Sequence, residues 1–369
     1  MKIAFILHDL NLTGAARLGL QVARVMARSH DVKLVAKRDG PLRETIPEGL
    51  FRDLVITDTN HEDCDESLDS RVANASQWLK ESDPDLVYVN SIAAADWVGA
   101  ARQSAHRSVL HIHEMLREIS NLRLSNVFDG YDVGHSDRIL AASRECLDAV
   151  RSAFSIPAEK LTNFGVCVDV PDIEAKSRDK PAAAVRHDGE LLDYRGKPDR
   201  KLIAMCGLAQ HRKGADLFWE TARISPEHDF LWIGPWDDPN SELVNPALPL
   251  NSQMPLDNLY WTNTTTNPYS AMARADLFAL TSREDPNPLV VPEAISLGRP
   301  VVTFAASGGA HEWTSRHGLS LSGKPDPQRL ADFARHFFSM KQLDWTPGPA
   351  FFQEADLEAK TTELLNSLN

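Results

Sequence analysis

The feature that most constrains the fold is the alternation of short apolar runs with longer amphipathic patterns along the chain. In the first half, the apolar runs fall at residues 3–7, 32–36, 54–57, 86–90, 109–113 and 139–142. Many are rich in β-branched residues and apolar on both faces, as in the strands of a parallel sheet that helices cover on both sides. The clearest helical pattern lies at residues 15–27. This half of the chain therefore predicts a doubly wound α/β domain.

Residues 175–200 interrupt the alternation, because they are charged, contain Pro and Gly, and lack apolar periodicity. This composition predicts a linker or a long exposed excursion. The strand-like runs resume at residues 202–206, 230–233, 259–261, 277–281 and 300–304. Helices are expected near residues 214–223, 268–274, 290–297, 327–340 and 354–368. We therefore expect two doubly wound domains, residues 1–174 and 201–350, with a ligand in the cleft between them and a helix at 351–369.

Composition limits the classes of function. The chain has 369 residues, of which 43% are hydrophobic and 25% charged, as expected for a soluble protein of two domains. The formal net charge of −13 argues against a nucleic-acid binder, because neutralising phosphates requires a basic surface. A local basic pocket for a small phosphorylated ligand stays compatible with this charge.

The cysteines and the apolar runs bear on the compartment. Cys64, Cys146, Cys167 and Cys206 are scattered without metal-ligand spacing, which favours free thiols in a reducing compartment. The start, MKIAFILHDLNLTG, suits a first strand better than a signal peptide, and no apolar run is long enough to span a bilayer. Residues 116–128 are mildly amphipathic and fit a solvated helix better than a surface that faces a membrane. We expect a cytoplasmic protein, with peripheral contact at the inner face of the membrane as the alternative.

Residues 281–302 contain the strongest candidate for a ligand site. They predict a buried strand, a polar loop with Glu284 and Asp285, a helix that carries Glu293, and a second buried strand. Ligands of open α/β sheets bind at the carboxyl edge of the strands, and helix N-termini offer N–H groups to anions. The alternative is that the acids only cap the loop or stabilise the helix dipole, which their apolar surroundings make less favoured.

A proline limits where this helix begins. Pro292 lacks an N–H group and is tolerated only in the first helical turn, so the N-cap lies no earlier than about Leu289. The backbone N–H groups of Leu289, Val290 and Val291 are then candidate phosphate donors.

Two further loops connect a predicted strand to a helix. Gly14 lies in the first, where it either forms a plain turn, the favoured interpretation of this segment alone, or lets a phosphate approach. The second loop places Arg212 and Lys213 before a helix, where the dipole already favours anions. The bidentate guanidinium of Arg212 and the point charge of Lys213 together suit a diphosphate, although a solvated basic loop explains the pair equally well.

Two other segments end predicted strands with polar residues. A lone histidine such as His113 is more often structural than ligand-binding, and His111 and His113 lack a convincing third metal ligand. Residues 307–312 form a glycine-rich loop in which Gly309 would allow close approach of a sugar or base and Glu312 would accept hydroxyl groups. A tight turn explains this loop equally well.

Taken together, these segments resemble the retaining nucleotide-sugar glycosyltransferases of the GT-B fold, in particular family 4 (glycosyltransferase group 1). The resemblance covers nearly the whole chain and keeps the order of the family's motifs. The segments that carry it are LTGAARLGLQVARVMARSHDV, DLVYVNS, VLHIHE, GLAQHRKGADLF, TSREDPNPLVVPEAISLGRPVVTFAASGGAHE and ADFARHFF.

The resemblance implies two Rossmann-like domains that face each other across a cleft, with a C-terminal helix that crosses back to the first domain. It also implies transfer of a sugar from a UDP- or GDP-sugar to a glycan or lipid-linked acceptor, without a metal or another cofactor. Synthesis of surface polysaccharides or glycoconjugates is the implied role.

The same resemblance implies the roles of single residues. Asp285 matches the first acid of the family's E-x7-E pattern, near the donor sugar hydroxyls, and Glu293 matches the second, on the nucleotide ribose. His113 would lie near the transferred sugar and, with Asp285, serve catalysis. The residues implied at the donor diphosphate are Gly14, Arg212, Lys213, Leu289 and Val290. Weaker matches on the sugar side are Glu284, Gly309 and Glu312.

The sequence departs from the family pattern at four positions. Ala15 replaces a common second glycine, Leu208 replaces a usual arginine, Pro292 replaces an apolar residue, and the first acid is Asp285. Which of Glu284 and Asp285 reaches the sugar is therefore open. Two alternatives to a transferase remain, namely a nucleotide-sugar epimerase or phosphorylase of the same fold, and a catalytically silent donor-binding scaffold subunit.

Overall fold

The computed structural model describes residues 1–59, 66–194, 199–236, 255–340 and 345–368. The chain divides into two compact units, one made of Met1–Cys167 with Asp356–Asn369 and the other of Val168–Ala355. The first unit thus ends seven residues before the expected boundary at 174 and includes the last helix. Cys64 lies outside the described residues.

In the described part of the first unit, seven parallel strands form one sheet in the order β3-β2-β1-β4-β5-β6-β7. The strands are β1 (Lys2–Leu7), β2 (Asp31–Ala36), β3 (Asp53–Ile56), β4 (Leu86–Asn90), β5 (Ser108–Ile112), β6 (Arg138–Ala141) and β7 (Leu161–Asn163). The helices are α1 (Gly14–Ala27), α2 (Leu68–Ser82), α3 (Asp96–Gln103), α4 (Leu116–Leu124), α5 (Gly130–His135) and α6 (Arg144–Ala153).

Burial explains why these segments form strands. Every residue of β4 and β5 is buried, as the two-sided apolar pattern predicts for central strands of a parallel sheet. Phe5 of β1 stacks on Tyr88 of β4 with ring centroids 4.5 Å apart. The hydroxyl of Thr13 accepts a hydrogen bond from the Ala16 N–H and caps α1 at its N-terminus.

In the described part of the second unit, a seven-stranded sheet has the order β14-β13-β12-β9-β10-β11-β8, in which β8 alone is antiparallel. The strands are β8 (Ala184–Val185), β9 (Leu202–Cys206), β10 (Asp229–Ile233), β11 (Leu259–Thr262), β12 (Leu277–Ala279), β13 (Val301–Phe304) and β14 (Leu319–Leu321). The helices are α7 (Val170–Ser177), α8 (Ala215–Ile224), α9 (Tyr269–Met272), α10 (Val290–Ser296), α11 (Ala310–His317), α12 (Pro327–Ser339) and α13 (Pro349–Ala355).

The two sheets share one topology. In each unit the first strand of the parallel series lies at the centre, the next two extend to one side, and the fourth pairs on its other side. The strand order therefore reverses between β1 and β4 in the first unit, and between β9 and β12 in the second. Open α/β sheets bind ligands outside the carboxyl ends of the strands at such a switch point.

The last helix belongs to the first unit. Helix α14 (Leu357–Leu368) packs against α1, and Arg107 before β5 donates to the carbonyl of Leu368 at 2.7 Å. The single helix expected from residue 354 is in fact two, because the carboxylate of Asp356 accepts from the Ala359 N–H at 2.9 Å and starts a new helix.

The stretch expected to be a linker, residues 175–200, is partly regular structure. Helix α7 extends into it, because Asp169 caps the Asp172 N–H and Pro171 occupies the first turn. Strand β8 pairs with the edge strand β11 through Val185 and Trp261. Among the described residues, no helix is long and apolar enough to cross a membrane.

Candidate functional site

Two loops of the second unit meet at the switch point of its sheet. The first follows β9 and the second follows β12, and Arg283 of the second loop joins them. Its guanidinium donates to both carboxylate oxygens of Asp216 at 2.6 Å and to the His211 carbonyl at 2.7 Å. Its backbone N–H donates to the Arg212 carbonyl at 2.8 Å. The two loops are thus held as one structure.

A second charged contact at this edge is between Lys213 and Asp285. The Lys213 ammonium lies 2.5 Å from Oδ2 of Asp285, and these side chains are 17% and 5% exposed. The Ser282 hydroxyl donates to the same oxygen at 3.3 Å. The two residues implied at the diphosphate and at the sugar therefore contact each other.

Close backbone approach brings the first loop under the second. Gly214 has φ +70°, and a side chain there would place Cβ 2.1 Å from the Thr281 carbonyl oxygen. The hydroxyl of Thr281 in turn donates to the Lys213 carbonyl at 3.1 Å. The glycine before α8 is therefore required by packing within the chain.

The glycine-rich loop after β13 holds the backbone of Asp285. The Asp285 N–H donates to the Ser307 carbonyl and the Gly309 N–H donates to the Asp285 carbonyl, both at 3.0 Å. Gly308, with φ +89°, passes so close that a Cβ there would lie 2.3 Å from the backbone carbonyl oxygen of Asp285. Gly309, which the sequence placed on the sugar side, thus supports Asp285 through its backbone.

The neighbouring candidates have different partners. Arg212 donates to the backbone carbonyl of Glu284 at 2.9 Å, so one of its N–H groups closes the loop. The Glu284 side chain is partly exposed and no described residue bonds it, whereas the Asp285 carboxylate is buried and ion-paired. Of the two adjacent acids, Asp285 is the one built into the site.

Helix α10 begins as its proline predicts. Leu289 is the N-cap, and among the described residues the N–H groups of Leu289 and Val290 have no acceptor. The Val291 N–H donates to the Pro288 carbonyl at 3.1 Å, which removes it from the predicted phosphate donors.

The second acid of the pattern is held inside the second unit. Glu293 is 1% exposed, and its Oε1 accepts from the hydroxyl of Tyr269 at 3.1 Å. Glu312 lies in the first turn of α11, partly exposed. Across the described ranges, no cluster of three or more His, Cys, Asp or Glu side chains is arranged to hold a metal ion.

In the first unit, Asn90 lies at the β1–β4 switch point and connects the start of α1 to the residues that follow β5. Its amide Nδ2 donates to the Ala15 carbonyl at 3.0 Å, and its Oδ1 lies 2.9 Å from Nε2 of His113. Gly19 packs against Asn90, since a Cβ there would lie 2.6 Å from the amide carbon. The start of α1 and the histidine after β5 are therefore connected through one side chain.

The carboxylate of Glu114 holds the backbone around this histidine. One oxygen accepts from the Ser91 hydroxyl, and the other accepts from the His113 N–H at 2.9 Å and the Ile92 N–H at 3.2 Å. Ser91 has φ +83°, which a non-glycine residue rarely adopts. Glu114 therefore connects the loops that follow β4 and β5.

His113 is buried beside a second histidine. Its ring centroid lies 4.1 Å from that of His111, whose Nδ1 lies 2.9 Å from the hydroxyl of Tyr88. Burial, followed by the charge of nearby His8, lowers the pKa of His113 from 6.5 to about 3. Burial likewise lowers the pKa of His111 well below its ordinary value. Both imidazoles are therefore uncharged near neutral pH.

Gly14 is the first residue of α1, and a Cβ there would meet no atom within 4 Å. Packing within the chain thus does not require glycine at this position. A role in the approach of a ligand stays a prediction.

Asn90, Arg283, Asp216 and Tyr269 are site residues that the sequence analysis does not predict. Asn90 was visible as the polar end of a buried strand, in DLVYVNS, and Arg283 stands next to the predicted acids. Asp216 and Tyr269 carry no local signal, because their partners are 67 and 24 residues away along the chain.

Two Rossmann-like units, each with a polar site at its switch point, have the architecture of the GT-B fold. The Glycosyltransferase Family 4 profile matches residues 12–170, and the profile of Glycosyl transferases group 1 matches residues 199–339. The chain therefore belongs to glycosyltransferase family 4 (group 1).

Solved structures with this fold cover the whole chain. HepE of Anabaena in complex with UDP-glucose has a TM-score of 0.79 and 19% identity, with 100% of this chain and 99% of that chain covered. A glycosyltransferase from Rickettsia africae has a TM-score of 0.69 and 14% identity, with 99% and 93% covered. WaaG, a glycosyltransferase involved in lipopolysaccharide biosynthesis, has a TM-score of 0.67 and 17% identity, with 99% of each chain covered. A search of curated proteins found no match.

Proposed function

We propose that this glycosyltransferase moves a hexose from a UDP- or GDP-sugar to a glycan or lipid-linked acceptor, with retention of anomeric configuration and without a metal. The observation that carries the proposal is the ion pair between Lys213 and the buried carboxylate of Asp285 at the carboxyl edge of the second sheet. It combines a cation for a diphosphate with a carboxylate for sugar hydroxyls. The similar fold of HepE, solved with UDP-glucose, supports the class of donor, and that of WaaG supports a surface polysaccharide as product.

Lys213 serves the donor without leaving Asp285. An ammonium has three N–H donors, so it can keep its bond to the carboxylate and also bind a phosphate oxygen. Arg212 uses one guanidinium N–H on the Glu284 carbonyl and keeps its other donors for the diphosphate. Leu289 and Val290 add backbone N–H groups, and Gly14 of the first unit lets the chain approach the phosphates.

The sugar and the ribose bind at the remaining acids. Asp285 accepts hydroxyl groups of the donor sugar, and Glu293, held by Tyr269, accepts those of the ribose. His113 of the first unit binds the transferred sugar, with Glu312 and Gly309 as lesser contacts. Glu284 stays a bystander on the loop surface.

The chemical step needs stabilisation of the departing diphosphate. Glycosyl transfer passes through an oxocarbenium-like state. Fixed cations and N–H groups around the leaving group supply the main stabilisation. We propose attack on the same face of the sugar, with the leaving phosphate taking the acceptor proton. Asp285 then binds hydroxyl groups and does not form a covalent intermediate.

A panel of UDP-, GDP- and ADP-sugars tests the function, with nucleotide release measured with and without an acceptor and the product anomer determined by NMR. The proposal predicts acceptor-dependent release from a UDP- or GDP-sugar and a product with the donor's configuration. Inversion of configuration contradicts retention, and loss of activity in EDTA contradicts metal independence. Sugar 1-phosphate made from inorganic phosphate, or an altered sugar in place of transfer, would identify the phosphorylase or epimerase.

A silent donor-binding subunit is the second candidate. One observation favours it, because the first acid is an aspartate whose carboxylate is 5% exposed and already paired with Lys213. Binding of a nucleotide sugar without turnover by any acceptor of the panel would support this candidate and contradict the transferase.

A further inference from the structure

Asn90 has one amide and two neighbours that restrict its orientation. A backbone carbonyl only accepts hydrogen bonds, so the amide nitrogen must face the Ala15 oxygen, 3.0 Å away. The amide oxygen then faces Nε2 of His113 at 2.9 Å. Because an amide oxygen only accepts, Nε2 of His113 must carry a proton.

The protonation state of the other ring nitrogen follows. The His113 ring is buried against His111, near His8, and the carboxylate of Glu114 is engaged by backbone N–H groups and Ser91. These surroundings favour the uncharged ring, which carries a single proton, and that proton is on Nε2. Nδ1 is therefore a hydrogen-bond acceptor, and the hydrogen bonds that His113 makes among the described residues use only its backbone N–H and Nε2.

We propose that Asn90 is a positioning residue that holds His113 as the Nε2-protonated, uncharged imidazole, so that Nδ1 accepts a hydrogen bond from a hydroxyl group of the transferred sugar. The role of Nδ1 rests on the proposed function, whereas the tautomer does not. The same amide anchors the Ala15 carbonyl, so the first turn of α1, which begins at Gly14, and the His113 ring keep a fixed relation within the first unit.

Replacing Asn90 by aspartate distinguishes a role in setting the His113 tautomer from a role in packing alone. Asn90→Asp keeps an acceptor of the same size for Nε2, but it loses the donor to Ala15 and adds a charge that favours the imidazolium. An imidazolium carries a proton on both nitrogens, so Nδ1 no longer accepts. Asn90→Leu keeps a similar volume and removes both hydrogen bonds. Asn121→Asp on exposed α4 makes the same chemical change outside the site and is the matched control.

The tautomer is measured by two-bond 1H–15N correlation NMR on the full chain with 15N-labelled histidine, where His113→Gln assigns the signals. We expect the neutral Nε2–H pattern in the wild-type protein from pH 8 to pH 5.5, and a charged or mixed pattern in Asn90→Asp at pH 7. A neutral Nδ1–H pattern, or an imidazolium at pH 7, in the wild-type protein would overturn the proposal.

Kinetics then test what the tautomer does. With a nucleotide sugar that the enzyme turns over, we expect Asn90→Asp to lower kcat about 10- to 100-fold, the range seen for residues that orient metal-binding histidines, with little change in donor KM. Asn121→Asp should match the wild type. Wild-type kcat in Asn90→Asp would overturn the role of Nδ1. If no nucleotide sugar is turned over while His113 shows the expected tautomer, the proposed function and the role of Nδ1 fail together, and the tautomer stands.

Discussion

The ammonium of Lys213 lies 2.5 Å from Oδ2 of Asp285, and this ion pair joins the loop after β9 to the loop after β12. The two residues come from segments that the sequence analysis relates to different parts of a donor, the diphosphate and the sugar. Their contact means that a ligand bound by one changes the surroundings of the other. The next three predictions test the charge and the position of this pair.

Removing the cation should destabilise the second unit. Lys213→Ala leaves the Asp285 carboxylate buried with the Ser282 hydroxyl as its remaining side-chain partner, and we expect a loss of about 1–3 kcal/mol in the free energy of unfolding. Lys176→Ala is the control, because Lys176 forms an exposed ion pair with Asp172. That change should cost at most about 1 kcal/mol. Denaturant unfolding measures both, and equal losses would show that Lys213 does not stabilise the buried carboxylate of Asp285.

The bidentate salt bridge between Arg283 and Asp216 should hold the Lys213–Asp285 ion pair in position for a donor. Arg283→Lys keeps the charge but removes the bidentate bond to Asp216, so we expect the two loops to hold Lys213 and Asp285 less firmly and donor binding to weaken. Arg223→Lys changes a similar fork to Glu220 on the outer face of α8 and should leave donor affinity unchanged. Calorimetric titration with a nucleotide sugar compares the two. Unaltered affinity in Arg283→Lys would show that the loops keep their arrangement without the fork.

The close approach of Gly308 to Asp285 separates two effects of a glycine substitution. Gly298→Ala introduces a side chain at φ +66° with no neighbour within 4 Å, so it should cost only the strain of about 1–2 kcal/mol. Gly308→Ala adds a clash with the Asp285 carbonyl at 2.3 Å and should cost more and also weaken donor binding. Melting temperatures and donor titrations measure both. Equal effects on stability and binding would contradict the packing of this loop on Asp285.

The pKa of His113 predicts a dependence of stability on pH. Its folded-state pKa of about 3 lies below the ordinary value of 6.5, so between these values the unfolded chain binds the proton that the folded chain excludes. Stability is therefore full above pH 6.5 and falls as the pH decreases toward 3, by about 1.4 kcal/mol per pH unit for this group. His113→Gln should lose less stability between pH 7 and pH 4.5 than the wild type. Parallel losses would show that His113 is not buried in its neutral form.

Much of the fold is predictable from local pattern. The strands expected in both halves form within one or two residues of their predicted limits, because central parallel strands are buried on both faces and read as apolar runs. Strands β7, β8 and β14 are only two or three residues long and partly exposed at sheet ends, so no apolar run marks them. The sequence does not show where α13 ends, because the helical pattern continues through Asp356, the one residue that caps the start of α14.

The site is predictable in its residue types and not in its contacts. The loops at residues 206–214 and 281–293 stand out because charged residues follow buried strands. That Lys213 bonds Asp285 is a contact over 72 residues, which depends on the strand order β12-β9 and not on local sequence. Asn90 is similar, because its importance follows from its neighbours on α1 and after β5, which only the sheet topology brings together.

We propose that the Lys213–Asp285 pair belongs to a site for a nucleotide-diphosphate sugar. The most direct test is isothermal titration of UDP- and GDP-sugars into the wild type, Lys213→Ala and the control Lys176→Ala. We expect at least one nucleotide sugar to bind the wild type and Lys176→Ala equally, and Lys213→Ala to lose this affinity. Equal binding of that nucleotide sugar by Lys213→Ala, or no binding of any nucleotide sugar by the wild type, would contradict the claim.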